Sequence, residues 1–163
     1  MTTTFDGSKF TNSSDLSIAR TILHESIHAN LVAHFKVDPL SAVKSYPDLV
    51  KDWANGIYGD QNTNQHAEFV RNFVNDLAIV LEEYGIAKGY NLTNQFYKDL
   101  AWGGLTHTGK LNSAVMPIET PWFQSSFPNS SDRQRIIDVI TIEQTGKDFY
   151  GNSKTKNGNN AGC

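Results

Sequence analysis

Between Asp15 and Phe35 the chain contains neither glycine nor proline, and apolar residues recur through it at helical spacing. Leu16, Ala19, Leu23, Ile27 and Leu31 fall three or four apart, while Ile18, Ile22 and Ala29 widen the apolar side. The run predicts a long central helix, and a face this broad predicts burial on several sides. Ser13 or Ser14 stands where a side-chain oxygen caps the first turn, and Asp15 suits the positive end of the helix dipole. In the middle of this helix sits His24-Glu25-Ser26-Ile27-His28. Burying such groups costs free energy unless something compensates them.

A metal ion compensates them directly. Histidines four apart on a helix stand about 40° apart around the axis and about 6 Å along it, so their imidazoles can converge on one cation. Zinc takes neutral imidazole nitrogens at about 2.0–2.1 Å. Glu25, one residue past His24, leans toward the open side of such a site, where a carboxylate can accept a proton from activated water. The expectation is therefore a zinc site with His24 and His28 as ligands and Glu25 as general base. The competing reading makes both histidines hydrogen-bonded core residues and leaves Glu25 solvated.

A catalytic zinc usually has three protein ligands, and the candidates are His34, His66, Glu68 and His107. His34 has the spacing of the third histidine in the extended metzincin pattern, but that pattern needs a glycine where this chain has Leu31. In an unbroken helix His34 lies about 15 Å along the axis from His24 and cannot share its ion. His66 opens a second long helix, about residues 64–88, whose apolar stripe is Phe69, Val70, Phe73, Leu77, Val80, Leu81 and Tyr84. It continues that stripe, whereas Glu68 falls about 200° around the helix from it. The third ligand is accordingly His66. His107, in the loop Trp102-Gly103-Gly104-Leu105-Thr106-His107, and Tyr90 are candidates to stabilise an oxyanion; Trp102 is a candidate substrate wall or a core residue.

The rest of the chain reads as further helices around 40–53, 93–101 and 131–144, a proline-punctuated stretch over 110–128, and one small strand near the start. From residue 145 to 163 the sequence is Gly, Asn and Lys with few apolar residues, which predicts a flexible polar tail after a single domain over 1–144. At 163 residues, 39% hydrophobic and 19% charged, the chain has the composition of an ordinary globular domain. A net charge of −3 offers no basic footprint for nucleic acid. No apolar run is long enough to span a bilayer, and the N-terminus lacks a signal peptide's basic and apolar segments. The single cysteine, Cys163, can build neither an internal disulfide nor a thiolate zinc site, so any metal must be held by histidine and carboxylate.

The segment Thr21-Ile22-Leu23-His24-Glu25-Ser26-Ile27-His28-Ala29-Asn30-Leu31 resembles the active-site helix of SprT-like (Spartan-type) zincins, and His66-Ala67-Glu68-Phe69 is similar to their third-ligand segment. That resemblance implies a zinc peptidase whose third histidine, at the position of His66, comes from a second helix. The His-to-Glu gap is one residue shorter here, and the cysteine-rich module often found in that family is missing. Over roughly residues 10–110 the chain more closely resembles small metallopeptidase domains at the C-termini of bacterial polymorphic toxins and secretion effectors, especially in Bacteroidota. The shared features are the Ser17-Ile18-Ala19-Arg20-Thr21-Ile22 run, the second-helix histidine and the Ala101-Trp102-Gly103-Gly104-Leu105 turn.

The resulting expectation is an α+β, mainly α, zincin-like domain that binds one Zn2+ and hydrolyses a protein or peptide substrate. Its context would be a bacterial toxin or effector delivered as part of a larger secreted protein and paired with a cognate immunity protein. The rivals are a housekeeping SprT-like protease, disfavoured by the acidic balance, and a non-catalytic helical immunity or adaptor module carrying an accidental motif.

Overall fold

The computed structural model describes residues 10–34, 52, 63–108 and 118–161; of 32–34, 63–69, 108 and 118 it describes the backbone alone. The helix expected around 40–53, the small strand expected near the start and Cys163 lie outside the described residues. The chain is mainly helical, with five helices and one short strand pair among the described residues. Helix α1 spans Asp15–His34, α2 Thr63–Ala87, α3 Asn94–Ala101, α4 Pro121–Ser126 and α5 Ser130–Thr145. Strands β1 (His107–Thr108) and β2 (Ile118–Glu119) pair antiparallel, with His107 opposite Glu119. No helix among the described residues is long and apolar enough to cross a membrane.

Helix α1 starts where its capping residues indicate. The Ser17 N–H donates to Ser14 Oγ at 3.1 Å, satisfying one of the amides that a helix start leaves open. Helices α2, α3 and α5 pack around α1, and α2 and α3 form the most extensive helix pair. The core they share includes Leu16, Leu31, Val70, Val74, Leu81, Leu100, Leu105, Phe123 and Ile136.

Two details of the apolar pattern differ from the sequence expectation. On α2 the fully buried line runs Val70, Val74, Ala78, Leu81, while Val80 is 45% exposed. On α1, Ile22 is 47% exposed, so one side of the central helix reaches the surface. On α2 the small Ala78 takes an inward position that a large residue would overfill, and Val80 is left on the flank.

The turn after α2 brings the chain back sharply. Gly89 adopts φ +80° and the Tyr90 N–H returns to the Gly85 carbonyl at 2.9 Å. A side chain at Gly85 would collide with the buried Tyr97 ring, so this glycine lets α3 approach α2 closely. Thr93 and Thr120 cap α3 and α4 by accepting the N–H of Phe96 and Phe123. Asp99 on α3, almost fully buried, accepts from Arg135 Nε on α5 at 2.8 Å and so ties these two helices.

Composition assigns the segment after residue 145 to a flexible tail, yet residues 146–161 are bonded back onto the helices. Glu143 on α5 is 0% exposed, and its carboxylate accepts the N–H groups of Asn157 (2.7 Å) and Gly158 (3.2 Å). Asn160 bridges Ser14, the Asp15 N–H donates to the Asn159 carbonyl, and the Ala161 N–H donates to the Ser13 carbonyl. The Tyr90 hydroxyl donates to Asp15 at 2.8 Å and accepts the Asn159 N–H at 2.8 Å. Polar residues hold this strap because main-chain amides and carboxylates, not apolar contacts, make its bonds.

Replacing Glu143 by Ala should therefore cost about 2–4 kcal/mol, since it strips buried amides of their acceptor. Thermal unfolding should show the loss, and hydrogen exchange should speed up at Asn157–Ala161 before the rest of the chain. A loss under about 0.5 kcal/mol would mean that the strap contributes nothing to stability.

Candidate functional site

His24 and His28 lie on the same side of α1, with ring centres 6.4 Å apart and planes inclined by 36°. Two imidazoles on one tetrahedral ion at ordinary Zn–N lengths have centres about 5 Å apart, so a modest side-chain rotation closes this pair on zinc. Glu25 sits beside them, with Oε1 4.0 Å from His24 Nε2. The Glu25 side chain is 37% exposed and that of His24 is 19% exposed. The carboxylate thus reaches solvent while the imidazole is shielded.

Shielding sets the charge state. Burial lowers the His24 pKa to about 4, helped by the positive charge of Arg20 and by His28, and opposed by a backbone hydrogen bond with Gly103. At neutral pH His24 is therefore the uncharged imidazole, the form that donates a lone pair to a metal. The pair fits the two-nitrogen share of a zinc site.

A cavity of about 520 Å³ opens beside His24 and Glu25, and His28 is not among the residues that line it. Its lining includes His24, Glu25, Arg20 and Thr21 from α1, Gly104, Thr106 and His107 from the glycine turn and β1, and Ile137 and Ile140 from α5. This is within the size range of sites that take a small ligand or a few residues of a peptide. The turn that forms one wall presses main chain directly onto α1. A Cβ at Gly103 would lie under 3.0 Å from the Arg20 guanidinium, and one at Gly104 under 3.0 Å from the His24 ring. Gly104 also has φ +87°, a region open to glycine and costly to other residues.

His107 reaches the same cavity as His24 and Glu25. Its Nδ1 lies 3.0 Å from Thr106 Oγ1, and burial lowers its pKa while Glu119, facing it across the strand pair, works the other way. The other two residues expected to contact substrate are elsewhere. Trp102 is 3% exposed and packs against Phe123 and Phe127, so it belongs to the core. Tyr90 is engaged by Asp15 and Asn159 in the C-terminal strap and does not line the cavity.

The backbone of residue 66 lies on α2 one turn before Val70, and its side chain is outside the described residues. Among the described residues no group of three His, Cys, Asp or Glu side chains is close enough to form a complete metal set. Helix α1 continues unbroken to His34, which keeps that residue about 15 Å along the axis from His24.

Arg20 was not singled out from the sequence as a site residue. Its signal is a cation in the apolar stripe, one turn after Leu16 and one before His24. The chain matches no protein-family model, no curated protein and no solved structure at a significant level.

The glycine turn can be tested without any ligand. Gly89 and Gly104 both have positive φ, but a Cβ at Gly89 meets nothing within 4 Å. Gly89→Ala should cost about 1 kcal/mol for the backbone alone, and Gly104→Ala about 2–4 kcal/mol, because His24 must also move. Urea unfolding measures both, and equal losses would show that the turn does not press on the imidazole.

Proposed function

We propose that this protein is a zinc-dependent endopeptidase. The observation that carries the reading is the shared cavity, which brings a neutral, oriented histidine and a solvent-reaching carboxylate together beside a second histidine one turn along the helix. His24 and His28 would hold the ion, with His66 from α2 as the third ligand. Zinc, when bound, supplies Lewis-acid polarisation of a carbonyl and acidifies water.

The chain's own residues do the remaining work. Glu25 takes a proton from the attacking water at its carboxylate and delivers it to the leaving amine nitrogen. Its exposure suits a group that exchanges protons with solvent between turnovers. The Gly103-Gly104 turn packs directly against the His24 ring and limits its rotation, so less reorganisation of the ligand nitrogen is needed during the reaction. His107, which lines the same cavity and whose pKa burial lowers, would donate a hydrogen bond to a developing oxyanion. Ile137 and Ile140 on α5 supply apolar wall for a substrate side chain.

The resemblance of the Ser17–Ile22 run, the second-helix histidine and the Ala101–Leu105 turn to bacterial effector metallopeptidases supports a toxin or secreted-effector setting, with an immunity protein as partner. The two half-buried histidines on one side of α1, with a carboxylate beside them, weigh against an accidental motif in an adaptor module.

Purified protein should carry about one zinc per chain, and His24→Ala, His28→Ala and His66→Ala should each lower its zinc affinity at least tenfold. Glu25→Gln should keep the zinc and lose proteolysis by about 10²–10⁴-fold. Expressed in bacteria, the wild type should arrest growth and alter cellular proteins, and Glu25→Gln should not. Unchanged proteolysis in Glu25→Gln sinks the peptidase reading, and unchanged zinc in His66→Ala removes that residue from the ligand set.

A further inference from the structure

Arg20 occupies an unusual position for an arginine. It stands one turn before His24 on α1, and its side chain packs so closely on Gly103 that a Cβ there would collide with the guanidinium. Leu77, Leu81 and Ala101 surround a small gap on one side of it, and the 520 Å³ cavity opens on the other. The Nε atom is shut off from solvent and has no hydrogen-bond partner, and no carboxylate pairs with the side chain among the described residues. Burial is the one influence on its pKa, which falls to about 10, so the group remains a full cation at neutral pH. Elsewhere in the chain the arginines that approach helices are paired: Arg135 with Asp99 and Asp132, and Arg133 with Glu119.

An unpaired buried cation destabilises a fold, and evolution retains such groups where a ligand completes them. We infer that Arg20 is a specificity residue that binds a carboxylate of the peptide entering the cavity. A guanidinium presents parallel N–H donors that match the two oxygens of a carboxylate. Arg20 lies about 6 Å along the helix from His24, which is the reach of one or two extended residues. The carboxylate is therefore either an Asp or Glu side chain next to the reacting bond or the peptide's own C-terminus. Glu25 is the one carboxylate among the described lining residues, so the wall around Arg20 leaves its charge open to an incoming anion. A phosphate dianion fits less well, because a single guanidinium meets it and Glu25 repels it.

As a statement about substrate the inference rests on the peptidase reading, but binding tests it separately. Three probes differ only in where a carboxylate sits: acetyl-glutamate amide has it on the side chain, acetyl-glutamine free acid at the C-terminus, and acetyl-glutamine amide nowhere. Each is titrated at fixed ionic strength by NMR into protein stripped of zinc by a chelator that is then dialysed away, so that neither zinc nor chelator competes for the carboxylate. One of the two anionic probes should bind at least tenfold more tightly than the neutral one, with shifts centred on Arg20 and Gly103. Which of them does so identifies the carboxylate's source.

Arg20→Met should abolish that preference, and its melting temperature should match or exceed that of the wild type, as relief of an unpaired buried charge requires. Equal binding of all three probes to the wild type would overturn the inference, whatever the variant does. Retained preference in Arg20→Met, or tighter binding of inorganic phosphate than of either carboxylate, would also overturn it. Carboxylate preference that persists when Glu25→Gln leaves proteolysis unchanged would keep this site and remove the peptidase reading.

Discussion

The close approach of the Gly103-Gly104 turn to α1 is the contact on which the candidate site depends. With no side chain between them, backbone lies against the Arg20 guanidinium and the His24 imidazole. That single approach shields His24 and closes one wall of the cavity. Packing holds the turn in place from behind. Trp102 is wedged among Phe123 and Phe127, and the Leu105 carbonyl accepts both Thr120 Oγ1 and Trp122 Nε1. The aromatic core beneath the turn and the chemistry above it are two sides of one short segment.

Much of the helical framework was legible because it follows from spacing and punctuation. The bounds expected for α1, for the second long helix and for the helix over 93–101 agree with the structure within one residue, since Ser14, Thr93 and Gly89 mark their ends by chemistry that acts locally. The phase of the α2 stripe was less legible. Val74 and Ala78 are as deeply buried as Leu81, and periodicity counted from large residues undervalues small ones that allow close contact.

The bonded strap at 146–161 was not legible from composition, because its interactions are polar and distant in sequence. A local trace of it does exist. Glu143 falls two turns after Ile136, on the buried side of α5, and an acid there needs donors from somewhere. Arg20 on α1 is the same kind of trace, a charge in line with Leu16 and Leu23. In both helices the informative residue is the one that breaks the apolar stripe. Trp102 shows the converse, since a large aromatic beside a glycine turn reads equally well as wall or core and only packing decides.

The strap also sets an order of assembly. Helix α1 leaves the ribosome well before the partners of its first turn, since those of Ser13, Ser14 and Asp15 include residues 159–161, made more than a hundred residues later. Contacts of such sequence separation form late and slow the final step of folding. During synthesis the histidine-bearing helix therefore waits with its first turn incompletely held, and the finished arrangement closes like a ring once residues 159–161 are available.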